Sequence, residues 1–243
     1  RHDTGSPAKG GVYRVGWEQS VGFTDNFDPT GEYLGQAWGL YVNLLTRPLI
    51  GYKHQAGAAG NDLIGDLATD VPTATNNGLT YTYKLRTGIK WSDGEPFSSD
   101  DVVYTLSSLK ELGAKVRWGV DVQQAVESVA ATDASTVVIK FKNPAPRFFD
   151  LLTYKYDIGV YPVPKHIYDG QDWTSFKAFD IANDVLVTTG PWKLVAASPD
   201  QKIHDRRDTW WAATPGLYSM PKIERSSVIP SSGRRLERAS AIN

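Results

Sequence analysis

"YTYKLRTGIKWSDGEPFSSDDVVYTLSSLK" spans Tyr81 to Lys110 and passes from strict alternation through two glycine turns into a helical pattern. Tyr81, Tyr83 and Leu85 fall on one side and Thr82, Lys84 and Arg86 on the other, which is the period of a half-buried strand. Asn76-Asn77-Gly78 just ahead is a turn signal. "TGIKW" starts a second extended piece and "SDGEPF" turns. Ser98 followed three residues later by Asp101 is a capping-box start, after which Val102, Val103, Leu106 and Leu109 form a buried stripe. Asp100 and Asp101 occupy the first turn, where the positive end of the helix dipole favours carboxylates. Strand, turn and capped helix in this order imply a mixed α/β fold. The polar residues are used on turns and a cap, and none is paired as nucleophile and base, so the unit reads as scaffold.

Working outward, 243 residues with 41% hydrophobic content suffice for a real core in one large or two small domains. With 26 basic and 27 acidic residues the net charge is −1, which supplies no electrostatic reason to bind nucleic acid or an anionic membrane surface. No apolar run approaches the roughly 20 residues of a membrane span, and "RHDTGSPAKGG" lacks the apolar centre of a signal peptide. The chain therefore reads as cytosolic, or as exported with its signal removed. Zero cysteines exclude disulfides and thiolate metal sites.

Residues 1–10 carry almost nothing apolar and are expected to form a flexible tail. "GVYRVGW" (Gly11 to Trp17) alternates as a strand, and "FTDNFDPTGEY" supplies turn formers for a long loop. Leu34, Trp38, Tyr41, Leu44 and Leu45 recur at helical spacing within Leu34 to Ile50, with Arg47-Pro48 ending the helix because proline cannot continue the hydrogen-bond ladder.

Other chemistries find little support. Asp93, Glu95, Asp100 and Asp101 could be searched for the carboxyl pair of a glycoside hydrolase, but turns and capping explain them. His2, His54, His166 and His204 are scattered singly, without the close spacing of a metal site. "PSSGRR" (Pro230 to Arg235) and "GAAGND" (Gly57 to Asp62) lack the lysine and strand-to-helix setting of a phosphate loop, and no Gly-x-Ser-x-Gly elbow occurs. Neither metal nor cofactor is expected.

Aromatic usage is more informative. Eight Trp, twelve Tyr and eight Phe supply flat apolar faces for enclosing side chains or stacking on sugar rings, although most must be core. Trp38 and Tyr41 read as core. Trp210 and Trp211 are adjacent, so at most one points inward from an extended segment. The ligand candidates lie in loops: Phe23, Asp25, Asn26 and Asp28 follow the first strand, where open α/β sheets bind ligands. Trp118 in "KVRWGVD", and Tyr154 and Tyr156 in "TYKYD", are further candidates, with surface packing as the alternative for each.

"LTYTYKLRTGIKWSDGEPFSSDDVVYTLSSL" closely resembles the signature region of the family 5 extracellular solute-binding proteins, the dipeptide- and oligopeptide-binding class serving ABC importers. "IGDLATDV" upstream looks like the family's "p-x-L-A" segment, and "FDLLTYKYDIGVYPVPKHIY" resembles its path to a proline-lysine turn. "VTTGPWKLVAASPDQKIHDRRDTWW" is similar to its glycine-proline-aromatic strand and the "asp/asn-x-x-tyr-trp" bend. These segments come in the family's order and cover about Gly11 to Pro230.

The resemblance implies a type 2 periplasmic-binding-protein-like α/β fold, a mixed sheet with flanking helices. Only the first lobe is expected, with a peripheral α/β subdomain. Residues 11–45 and 184–230 would form the two parts of the lobe's core, 46–183 the peripheral subdomain, and 231–243 the start of a crossing to a second lobe that this sequence lacks. "SSVIPSSGRRLERASAIN" (Ser226 to Asn243) looks like that crossing. The implied function is capture of an extracytoplasmic oligopeptide or similar small solute by lobe closure and delivery to the ABC transporter permease. No bond chemistry is expected. The protein would be periplasmic or on the cell surface, a monomer touching the membrane only by a tether such as a lipid anchor. An oligosaccharide is the alternative ligand, toward which the aromatic content pulls, and a secreted glycoside hydrolase is the rival from another class. A sensor or chaperone-like binding module is a third reading.

Overall fold

The computed structural model describes residues 9–18, 44–53, 55–144, 159–198, 200–213 and 216–231. Along these run strands β1 (Val12–Glu18), β2 (Ile50–Tyr52), β3 (Leu63–Gly65) and β4 (Thr80–Lys84), then helices α1 (Ser99–Leu112) and α2 (Gly119–Ala125). Strands β5 (Val126–Asp133) and β6 (Thr136–Phe141), the single turn α3 (Lys165–Tyr168), and strands β7 (Trp192–Ser198), β8 (Gln201–Arg206) and β9 (Arg225–Ser231) complete the order. No helix among the described residues is long and apolar enough to cross a membrane.

Three sheets result. β1 pairs in parallel with β9, which continues antiparallel through β8 to β7, so one mixed sheet joins the two ends of the described chain. Between them, β4, β6 and β5 make an antiparallel sheet, and β2 and β3 a small ribbon.

Local chemistry accounts for the β4 to α1 unit. Asn76, Asn77 and Gly78 all take positive φ, the backbone that Asn and Gly adopt most readily, and turn the chain into β4. Tyr83 is then buried while Thr82 and Lys84 are exposed, as alternation requires. Leu85 continues the buried face just beyond the strand. Ser98 opens α1 with both bonds of a capping box: its hydroxyl accepts from Asp100 N at 3.2 Å, and Asp101 Oδ2 accepts from Ser98 N at 2.9 Å. Val102, Leu106 and Leu109 are buried and Val103 is half-buried. The helix stops at Gly113, whose φ of 52° a side chain would resist and whose N–H bonds Leu109 O. Ser99 fastens the helix start to the β5–β6 turn through Oγ to Asp133 O at 2.6 Å, and Asp133 itself accepts from Ser135 N at 2.8 Å. The Ser135 N–H, with the Thr136 and Ser135 hydroxyls, holds the exposed Asp133 carboxyl below the usual range. Replacing Ser98 by alanine is expected to lower stability by about 1 kcal/mol in urea denaturation and leave solute affinity unchanged; an affinity loss without a stability loss would refute the scaffold reading.

Two expected elements lie beside this unit and before it. The extended piece expected at "TGIKW" follows a turn at Thr87 and Gly88 and meets the chain returning after Gly94 through one antiparallel bridge, Lys90 to Pro96. Trp91 N reaches Glu95 O at 2.8 Å and Phe97 N reaches Ile89 O at 3.0 Å on either side of the bridge, and the apolar side chains Ile89, Trp91 and Phe97 are all buried. The helix expected from Leu34 and ended by Arg47-Pro48 lies mostly outside the described residues. Leu44 and Leu45 form a wide helical turn, Thr46 to Pro48 are not helical, and Ile50 already belongs to β2, so the helix does not extend past Leu45. At the start of the chain, Gly10 N donates to Lys222 O at 2.8 Å, beside the β1–β9 pairing.

Candidate functional site

A cleft of about 660 Å³ opens between the loop Thr87 to Gly94 and two segments from the other end of the chain, Thr188 to Gly190 and Arg207 to Trp211. The loop is shaped by Gly94, at φ 100°, whose N–H bonds Trp91 O at 3.1 Å. Trp91 is held twice: its ring meets Phe97 edge-on at 5.4 Å, and its Nε1 donates to Asp101 Oδ2 at 3.3 Å. Thr188 N donates to Ser92 Oγ at 3.1 Å and so ties the two walls together.

Gly190 must be glycine because of close backbone approach. Its N–H bonds Leu45 O at 2.7 Å, and a Cβ there would stand 2.6 Å from that same carbonyl oxygen. The glycine-proline-aromatic run thus seats one wall of the cleft directly on the backbone after the Leu44–Leu45 turn.

Beneath the cleft lies a buried ion pair. Arg47 and Asp66 are 6% and 4% exposed and meet bidentately, through Arg47 Nε to Asp66 Oδ1 at 3.1 Å and Nη2 to Oδ2. Arg47 N also donates to Thr189 Oγ1 at 3.0 Å, and its guanidinium lies 4.7 Å from the Tyr218 ring and 5.8 Å from that of Trp210. Burial works against the Arg47 charge, yet Asp66 outweighs it and the pKa stays above its ordinary value. Trp210 and Trp211, expected to diverge, both donate their indole N–H to Thr189 O, at 2.9 and 2.8 Å. The chain turns there instead of extending, so the alternation that would have separated the rings does not apply.

Arg207 completes the cleft. Its backbone N donates to Pro191 O at 2.9 Å, and its Nη2 donates to Thr188 Oγ1 at 3.3 Å. Desolvation pulls this guanidinium below its ordinary range. Nothing in the sequence singled it out, because alternation marks only that Arg206 and Arg207 leave β8 on opposite sides. Thr188 and Ser92 are equally silent in sequence, since their partners come from distant segments.

Of the sequence-selected ligand residues, Phe23, Asp25, Asn26, Asp28, Tyr154 and Tyr156 lie outside the described residues, as do Trp38 and Tyr41. Trp118 is 5% exposed, packs in the core before α2, and carries the Arg117 guanidinium over its ring at 4.7 Å. It does not line the cleft described above. Of the carboxylates weighed for hydrolysis, Asp93 and Asp101 are held by hydrogen bonds and Glu95 and Asp100 are exposed. Asp101 accepts from Ser98 N, Trp91 Nε1 and Lys165 N, and burial pushes its carboxyl up against the pull of those bonds. Asp93 meets His166 Nε2 at 2.7 Å and accepts from Glu95 N, and Asp100 is exposed in the first turn of α1.

Comparison with known proteins gives the context. Residues 62–236 match the family described as bacterial extracellular solute-binding proteins, family 5, middle. A relative from Brucella ovis, named for peptide binding in an ABC transporter, is 36% identical over 134 residues, covering 54% of this chain and 23% of the relative. The oligopeptide-binding protein AppA from Bacillus subtilis, solved with a nonapeptide, superposes with a TM-score of 0.72 at 20% identity, over 93% of this chain and 41% of AppA. A periplasmic oligopeptide-binding protein from Thermotoga maritima, solved with mannohexaose, gives 0.71 at 21% identity, over 94% and 39%. The chain therefore spans about a quarter of the length of the Brucella relative and about two-fifths of the solved proteins whose fold it shares.

Proposed function

The chain belongs to the family 5 bacterial extracellular solute-binding proteins, and from that membership we propose that it is part of the substrate-binding component of an ABC importer. The observation that carries the reading is the family match across residues 62–236, joined to a Brucella relative named for peptide binding. The protein captures an oligopeptide outside the cytoplasm, without bond chemistry. Ligand binds the closed arrangement of two lobes more tightly than the open one, and the closed form docks on the permease. The working protein is exported, monomeric and in contact with the membrane only through a tether.

The pairing of β1 with β9 supports a division in which residues 11–45 and 184–230 build the first-lobe core, while 46–183 project as a peripheral subdomain with the β4–β6–β5 sheet. A second ligand class is favoured by one observation: three tryptophans, Trp91, Trp210 and Trp211, line the cleft, and indole faces stack well on sugar rings. The same fold holds a nonapeptide in AppA and mannohexaose in the Thermotoga protein.

Native mass spectrometry of the gently purified intact protein tests the reading. The expected result is a co-purifying mass that fragments as a peptide. A sugar fragmentation pattern would move the assignment to oligosaccharide. Turnover of chromogenic glycosides or peptides, abolished by Asp100→Asn or Asp101→Asn, would overturn it in favour of a hydrolase.

A further inference from the structure

Among the described residues, the cleft carries a guanidinium without a counterion. Arg47 and Arg225 each meet a carboxylate bidentately, and Arg86 and Arg206 donate to backbone carbonyls. Arg207 has the single bond to Thr188 Oγ1, and its buried Nε has no hydrogen-bond partner. The acids whose charge reaches it are engaged elsewhere: Asp93 with His166 at 2.7 Å, and Asp184 with Lys193 at 3.7 Å. Among the described residues lining the cleft there are two cations, Arg207 and Lys90, and no Asp or Glu. A guanidinium that lines an open cleft with one side-chain hydrogen bond and no described carboxylate beside it is prepared for a charged acceptor that arrives from outside.

Resting on the solute-capture reading, we propose that this cleft holds a carboxylate of the captured ligand. The carboxylate is gripped by the Arg207 guanidinium where it lines the cleft, and the rest of the ligand lies along the half-buried Trp211. The planar guanidinium fork matches a carboxylate bidentately, and charge-assisted pairs of this kind are about twice as strong as neutral ones. Volume agrees: about 660 Å³ falls within the range of roughly 300–1,000 Å³ typical of small-ligand pockets. The Thr188 hydroxyl, tied through its own N–H to Ser92, fixes the guanidinium's third edge and orients the fork. The carboxylate could be a peptide's chain end or an acidic side chain, so the chemistry is shared and the test separates the sources.

The test offers the intact protein three synthetic tripeptide pools in native mass-spectrometric competition: free C-termini, amidated C-termini, and amidated C-termini with a central glutamate. Wild type is expected to prefer the free-carboxylate pool over the plain amide by about tenfold or more. Arg207→Gln should abolish that preference, and Arg207→Lys, which keeps charge without the fork, should retain only part of it. Preference for the glutamate pool would assign the site to side-chain carboxylates and leave the proposal standing. Because Arg207→Gln could unfold, melting curves accompany each variant, and the lysine variant must still lose preference. Equal affinity for acid and amide in wild type, or a preference that survives both substitutions, overturns the proposal while solute capture stands. Absence of binding to any pool, with a sugar bound in its place, overturns it and corrects the ligand class. Absence of every solute removes both readings.

Discussion

Replacing Asp66 by alanine is expected to destabilise the protein by about 3–5 kcal/mol, among the largest losses any single substitution of a described residue would cause. Asp66 is 4% exposed and supplies both acceptors of Arg47 Nε and Nη2, so the alanine leaves a guanidinium that is 6% exposed with no carboxylate in reach. The Tyr218 and Trp210 rings beside it offer cation–π contact, worth about 0.5–2 kcal/mol, which is too little to replace the pair. Urea denaturation reads the loss directly. The double variant Arg47→Met, Asp66→Leu should recover much of it, because a buried pair replaced by apolar side chains of similar volume is often neutral or stabilising. Asp62→Ala, which breaks an ion pair 41% and 57% exposed with Lys53, should change stability by less than about 1 kcal/mol. If Asp66→Ala behaves like Asp62→Ala, the buried pair is not what holds the cleft floor.

Acidification from pH 7 to pH 4 should remove about 3 kcal/mol of stability through His204 alone. This histidine is 0% exposed on β8, between Leu194 of β7 and Ser226 of β9. Burial, and secondarily the charge of Lys202, push its pKa down to about 4, with Asp205 opposing. The unfolded chain, with histidine near 6.5, therefore binds the proton first. The stabilisation is complete above about pH 6.5 and is lost as pH falls toward 4. Carboxylates whose pKa values are lowered, such as Asp205 beside Arg225, weaken the fold only at still lower pH and do not confuse this window. Denaturation midpoints measured across pH 7 to 4 should fall steeply in wild type and much less in His204→Gln. Equal slopes, or a histidine resonance titrating near 6.5 in the folded protein, would contradict the buried neutral imidazole.

How far such features can be read from sequence depends on how far apart the partners lie. Ser98 and Asp101 are three residues apart and close their capping box within one helical turn, so residue type and spacing carry the information. The alternation of Tyr81, Tyr83 and Leu85, and the left-handed turn at Asn76 to Gly78, are local in the same sense. The donors of Asp101's outer contacts are not: Trp91 and Lys165 reach it only after the loop and α3 are packed.

The "TGIKW" piece shows the limit within a single motif. Its extended backbone and the bridge from Lys90 to Pro96 are local, but the burial of Ile89 and Trp91 depends on the core that packs against them. Trp210 and Trp211 make the same point at the site. Period-two reasoning separates adjacent side chains, yet both indoles turn to Thr189 O because that carbonyl presents two lone pairs to a chain that is turning.

The sequence by itself determined the mixed α/β class, the strand-turn-helix unit with its cap, the absence of disulfides and, through ordered motifs, the family. These rest on short-range propensity, periodicity and motif order, which need no knowledge of distant contacts. Only the tertiary structure decided that β1 closes against β9, that Arg47 finds Asp66 under Thr189, and that Arg207 faces a cleft walled by Thr87 to Gly94 with no carboxylate of its own among the described residues. Each of those depends on bringing remote segments within a few ångströms, and the energy that selects them is burial and pairing summed over the folded core, which no window of local sequence contains.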